Sequence, residues 1–153
     1  MKNKFSESEE LGRYKFLQQI SATCKDIQFT ENQYDKIDVI WRNKNDKLFV
    51  GEIKYRSGYT STNKLIVEQG VVLEKTKYDA LNYCCSASGA TPLYITIFSN
   101  NKMAYWDISK MKELKFVTED YKFPMTTNGN NKKISKEVAY LPLSGGTLVN
   151  MVV

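Results

Sequence analysis

Apolar residues recur at helical spacing in two stretches of the chain and in strand-like runs in several others. Leu11, Tyr14, Leu17, Ile20 and Cys24 form the first helical stripe, and Ser6 to Glu9 ahead of it has capping-box spacing. The pattern predicts a helix over residues 7–23. Ile27 and Phe29 alternate in a short strand, 25–30. Residues 36–42 and 47–56 read as two strands joined by the polar turn Asn43-Lys44-Asn45-Asp46. The polar stretch 57–63, with Tyr59 as its apolar anchor and Gly58 adding freedom, reads as a mobile lid. Residues 64–86 read as one long helix carrying Leu65, Ile66, Val72, Leu73, Leu81 and Tyr83. A β-branched and aromatic run, 93–98, and a second run, 103–108, predict another hairpin. Beyond it, 126–133 reads as an exposed loop and 138–143 as an edge strand. The apolar tail 144–153 reads as packing on the core or on another subunit.

These elements describe an α/β fold with a mixed central sheet flanked by helices. At 153 residues the chain is long enough to bury a core as one domain, 1–153. Its core spans about 7–108, with a C-terminal extension over 109–153. No apolar run approaches the roughly 18–20 residues that cross a bilayer, so no membrane association is expected. The basic start lacks the apolar stretch of a signal peptide, and the expected location is intracellular, in the cytoplasm.

Histidine is absent, which excludes Ser-His and Cys-His nucleophile pairs. Hydrolytic chemistry in this chain has to run on carboxylates, lysine, tyrosine and metal. The cysteines, Cys24, Cys84 and Cys85, are odd in number and include an adjacent pair, which suits reduced, buried thiols better than disulfides or zinc. A net charge of +5 with pI near 9.0 is compatible with nucleic-acid binding but common among non-binders.

The first hairpin carries the chemistry. Side chains alternate along a strand, so Glu52 and Lys54 share one face and Ile53 takes the other. A turn about residue 45 sets Asp38 roughly opposite Glu52. Two carboxylates and a lysine on one face can hold a divalent metal and a phosphate. An ordinary wet sheet face with cross-strand charge pairs is the plain alternative. Against it, the apolar residues around Val50-Gly51-Glu52-Ile53-Lys54-Tyr55 mark a central strand, where an acidic group is costly unless paired or metal-bound. Asp35 is the rival for the first acidic position, and its odd separation from Asp38 puts it on the other face or in the preceding turn. Two other acidic-x-Lys triplets, Glu113-Leu114-Lys115 and Asp120-Tyr121-Lys122, lack both the apolar strand and an aspartate across a turn.

The order helix, strand, hairpin, helix, strands, with Asp38 and Glu52-Ile53-Lys54 on the hairpin, resembles the PD-(D/E)XK nuclease superfamily over about residues 7–108. The proline of the family motif is absent; Ile37 precedes Asp38. The resemblance implies a restriction-endonuclease-like core and Mg²⁺-dependent cleavage of DNA phosphodiesters, with Mn²⁺ able to substitute. Members include restriction enzymes, Holliday-junction resolvases, repair nucleases and phage nucleases. Asp38 and Glu52 would bind the metal with the backbone carbonyl of Ile53, and Lys54 would steer or deprotonate the attacking water and stabilise the phosphorane.

Many relatives carry a metal-binding glutamate in the first helix, and Glu10 is the match here, with a favourable helix-dipole contact as the plain reading. Relatives also use a Gln, Lys or Tyr on the helix after the hairpin. Of Glu68, Gln69, Glu74, Lys75, Lys77 and Tyr78, Lys75 is selected as a DNA contact, together with Arg56, which shares the face of Lys54. The expected partner is DNA, with RNA not separated from it by sequence. The small size favours structure-selective cutting of branched DNA, by analogy with resolvases acting as homodimers. The runner-up is a non-catalytic nucleic-acid- or protein-binding module that retains the nuclease fold.

Overall fold

The computed structural model describes residues 7–31, 37–124 and 131–152. Asp35 and the stretch 125–130, most of the expected exposed loop, lie outside them. The elements run α1 (Glu7–Ile20), β1 (Cys24–Phe29), β2 (Val39–Asn43), β3 (Leu48–Arg56), α2 (Lys64–Gln69), β4 (Val71–Glu74), α3 (Lys75–Ser88), β5 (Thr91–Phe98), β6 (Lys102–Asp107), β7 (Val117–Pro124), β8 (Asn131–Leu141) and β9 (Thr147–Asn150). Among the described residues the main sheet has the order β1-β2-β3-β5-β6-β9, and a smaller sheet has the order β4-β8-β7. The β3–β5 pairing is parallel and every other pairing is antiparallel, so the sheet is mixed, as expected. The three cysteines form no disulfide.

The β2–β3 hairpin forms where the polar turn requires it. Asn43 Oδ1 accepts from the backbone N–H of Asn45 (2.9 Å) and Lys47 (3.0 Å), an Asx-type turn, and Asp46 takes the left-handed conformation at φ 65°. Pairing of Val39 with Gly51 and Ile40 with Val50 then fixes the register. Strand β3 is central, between β2 and β5, and its two faces bury different cores. Ile53 packs with Phe16, Ile20, Trp41 and Ile95 beneath α1. Val50 packs with Leu81, Tyr94, Trp106 and the small-sheet residues Leu73 and Leu141.

Helix α1 turns a different face inward than its apolar spacing suggests. Gly12, Phe16 and Ile20 are buried, whereas Leu11, Tyr14 and Leu17 are exposed. The cause is Gly12: a Cβ there would meet Tyr55 Cβ at 3.1 Å, so the helix rests on β3 through a position that an apolar scan does not count.

The expected long helix 64–86 is two helices separated by a strand. Gly70 breaks it with φ 91° and ψ −169°, a region open essentially to glycine, and its N–H closes α2 on Ile66 O (2.9 Å). The β-branched Val71 and Val72 that follow pair with Leu141 and Tyr140 of β8. Strand β8 is therefore the middle of the small sheet, not an edge strand. The tail contributes β9 to the edge of the main sheet beside β6 and buries Met151. The 109–153 region thus supplies strands to both sheets. The stretch 57–63 is pinned, contrary to the lid expectation: Ser99 N donates to Tyr59 O (3.0 Å), and the buried Ser61 exchanges hydrogen bonds with the Asn100 side chain.

A Cβ at residue 70 would lie 2.3 Å from Leu141 O. Gly70→Ala should therefore destabilise the protein by about 2–4 kcal/mol, backbone strain and steric overlap together. Urea denaturation of the variant against the parent measures it, and an unchanged midpoint would contradict the account of this break.

Candidate metal and phosphate site

Strand β2 stops at Val39, and Asp38 stands at the point where the ladder to β3 ends. The Asp38 side chain takes over from the missing strand: Oδ2 accepts from Ile53 N at 2.7 Å. Oδ1 accepts from Arg13 Nη2 at 3.0 Å. Arg13 is itself held by Thr30, donating to its carbonyl at 2.7 Å and to its hydroxyl at 3.0 Å, and its guanidinium lies 5.5 Å from the centre of the Phe29 ring. A carboxylate with a backbone N–H on one oxygen and a guanidinium on the other is fixed in direction.

Glu52 follows from β3 on the same side. It is 8% exposed, and Oε1 lies 3.0 Å from Lys77 Nζ of α3. Glu52 Oε2 is buried and has no hydrogen-bond partner. Burial, and then the adjacent Asp38 carboxylate, push the Glu52 carboxyl up to about 8 against the opposing pull of Lys77. Two carboxylates meet in this buried site, Asp38 held by Arg13 and Glu52 by Lys77.

These groups fit a divalent cation. Mg²⁺ prefers hard oxygen donors, commonly one or two carboxylates with water and phosphate completing its shell. Asp38 and Glu52 supply that pair, and the buried Oε2, which has no hydrogen-bond partner, offers its lone pairs to a cation. In a strand the N–H and C=O of one residue point to the same side. Ile53 N–H points to Asp38, so its carbonyl faces that side as well. Among the described residues no group of three or more acidic, histidine or cysteine side chains gathers as a metal site. Glu10 is exposed on α1 and does not complete such a group.

Lys54 is exposed on the Glu52 face of β3 and, with Glu52, lines a cleft of about 420 Å³ between the two sheets. Arg56 also lines this cleft, but its Nη2 donates to Val72 O (2.9 Å) and Tyr94 Oη (3.4 Å), which ties β3 to β4. Its direction is toward protein rather than toward an incoming phosphate. Lys75 is paired with Asp79 at 2.9 Å on the exposed side of α3, in a separate groove with Ser135 and Glu137. The structure thus brings together Asp38, Glu52, Ile53 and Lys54, and leaves Glu10 and Lys75 outside.

Two residues of the site escaped the sequence reading as site residues. Arg13 lies three before the buried Phe16, and Lys77 lies four before the buried Leu81. Spacing of three or four residues places side chains on one helix face, so both were detectable once the helix phase was known.

No family model and no curated protein matches the sequence. Among solved structures, the fold is similar to that of Hjc, a Holliday junction resolvase from Archaeoglobus fulgidus. The TM-score is 0.52 at 10% identity, over 88% of this chain and 84% of that one. At that identity the likeness is one of fold: a mixed sheet flanked by helices.

The raised Glu52 carboxyl has a consequence for stability. The folded state binds a proton more tightly than the unfolded chain, so this group favours folding at low pH. That contribution is lost as pH rises from the ordinary glutamate range, near 4.5, through about 8. Glu52→Gln, which cannot ionise, should gain stability relative to the parent across this window, by up to about 1.4 kcal/mol per pH unit. Urea denaturation at several pH values without divalent metal tests this; a constant difference would contradict the raised value.

Proposed function

We propose that this protein is a Mg²⁺-dependent nuclease that hydrolyses DNA phosphodiester bonds, with selectivity for branched or otherwise non-duplex DNA. The observation that carries the reading is the convergence of Asp38 and Glu52 at the end of the β2–β3 ladder, with Lys54 on the Glu52 face at the cleft. The fold shared with a Holliday junction resolvase supports it.

In this reading Asp38, Glu52 and the Ile53 carbonyl hold the cation. When bound, the cation supplies charge to a phosphate oxygen and acidity to a water, with Mn²⁺ able to replace Mg²⁺. Arg13 and the Ile53 N–H fix the Asp38 carboxylate, and Lys77 fixes Glu52 Oε1, so neither carboxylate has to reorganise. Lys54 donates from its ammonium group to orient the attacking water and offsets the negative charge that grows on the phosphorus-bound oxygens. Glu52 would have to be ionised to serve as a ligand, and a bound cation would favour that form. We extend the proposal to a homodimer, in which Leu11, Tyr14 and Leu17 of α1 are an exposed apolar surface available to a second copy; a monomeric mass by sedimentation would reject that extension.

One observation favours the second reading, a binding module that retains the fold. Arg13 and Lys77 already neutralise the two carboxylates, and a chain that has given up metal would need such cations. Calorimetry with Mn²⁺ separates the two. The nuclease reading expects binding that Asp38→Ala and Glu52→Ala each weaken strongly. Absent or mutation-insensitive binding would reject it in favour of the binding module.

Lys54 gives the catalytic test. Its exposure leaves the fold indifferent to substitution, since an exposed charge contributes only about 0–1 kcal/mol. Lys54→Ala should lose single-turnover cleavage of branched DNA while retaining most DNA affinity, because one phosphate contact is a small share of total electrostatic binding. Lys54→Arg should fail as well, since a planar guanidinium does not reproduce a compact ammonium. Equal rates for parent and Lys54→Ala would remove the residue from the mechanism.

A further inference from the structure

The catalytic face of β3 does not open onto a flat surface. Glu52, Lys54, Arg56 and Tyr94 of the main sheet form one wall of the cleft. Helix α2, β4 and β8 form the other, with Leu65, Gln69, Val72 and Tyr140. At about 420 Å³ the space is that of a small-ligand pocket, which typically holds roughly 300–1,000 Å³. That size suits a ligand on the scale of one nucleotide better than a base-paired segment.

The lining changes character along the cleft. Near β3 it is ionic, with Glu52, Lys54 and Lys77. Tyr59, just beyond β3, and Leu65 of α2 also line the cleft, large side chains that are 42% and 54% exposed. Neither is needed to fill the core. The backbone of Tyr59 is nevertheless fixed, since its carbonyl accepts from Ser99 N and Oγ, both at 3.0 Å. An exposed aromatic ring on an anchored backbone is a stacking platform, and a nucleobase offers a π-face whatever its sequence. Lys136 and Tyr140 of β8 keep their own partners, Glu74 and Glu119, and make the far wall polar.

We propose that this cleft takes a single nucleotide from a strand that has left its duplex, with the phosphate at Glu52 and Lys54 and the base against Tyr59 and Leu65. The placement of the phosphate rests on the nuclease reading; the base subsite rests on the cleft itself. The preferred substrate is then a single-stranded end, flap or unpaired branch point. In intact duplex the nucleotide must first unstack and unpair, which costs about a few kcal/mol.

Fluorescence anisotropy tests this with Ca²⁺ present to limit cleavage. The probes are a short single-stranded DNA, a blunt duplex of the same sequence, and that duplex with a single-stranded flap. The single strand and the flap should bind at least about tenfold more tightly than the blunt duplex. Tyr59→Ala should weaken both by about tenfold and leave the blunt duplex nearly unchanged, while Tyr59→Phe should restore affinity because the ring is kept. Blunt duplex bound as tightly as single strand, or indifference of the single strand to Tyr59→Ala, would overturn the proposal. Cleavage of DNA by the parent together with either result would reject this subsite and leave the nuclease reading standing. Tyr59-dependent single-strand binding without cleavage under Mg²⁺ would retain the subsite and reject the nuclease.

Discussion

A carboxyl buried beside another carboxyl is a strongly unfavourable arrangement, because low-dielectric surroundings remove the water that would screen the pair. Glu52 is in that position, near Asp38 on a strand with neighbours on both sides. The surrounding side chains are arranged about it. Arg13 reaches from α1 to Asp38, Lys77 reaches from α3 to Glu52, and the Ile53 N–H points at Asp38 where a backbone partner would otherwise stand. Helices on opposite faces of the sheet each contribute one cation to the same pair of acids. Even so, Glu52 Oε2 stays without a partner. A fold selected only for stability would replace Glu52 with an apolar residue, since swapping a buried ion pair for packed apolar side chains is often neutral or stabilising.

The parts of this arrangement legible in the sequence are the local ones. The β2–β3 hairpin follows from an Asx turn and period-two alternation, both properties of a few consecutive residues, so the opposition of Asp38 and Glu52 could be read directly. The β5–β6 hairpin was legible for the same reason. What failed was phase. In α1, Ile20 is buried as its spacing suggests, but glycine at the contact position turns Gly12 and Phe16 inward in place of Leu11, Tyr14 and Leu17, and with them Arg13 rather than Glu10. Between residues 64 and 88, a short apolar run, Val71-Val72-Leu73, fits a buried strand as well as a helix segment. The backbone of Gly70 decides it, through a contact with β8 some seventy residues away that no local pattern contains. Running the helix through Gly70 also hid the start of α3 at Lys75.

The strand that broke the long helix also makes the cleft. Had residues 64–88 remained one helix, the outer face of β3 would be covered by a rod and the site would open along its side. Instead α2 ends at Gly70, the chain drops into β4, and β4 recruits β8 and β7 into a second layer. Arg56 fastens the two layers by donating from β3 to the Val72 carbonyl of β4. Arg56 thus holds protein partners across the two layers while it lines the cleft.

The consequence is that the chemistry depends on both layers together. Asp38, Glu52 and Lys54 belong to the main sheet, but the walls that limit what can approach them come from α2, β4 and β8. Lys77 orients Glu52 from the first turn of α3, directly after β4. Loosening the small sheet would therefore alter both the approach to the site and the placement of its central carboxylate, with no change to any residue of the β2–β3 hairpin. A motif-level view of the chain stops at the hairpin. Under the proposed function, selectivity would reside in the second layer, because differences between substrates are set by what a site excludes as much as by what it contacts.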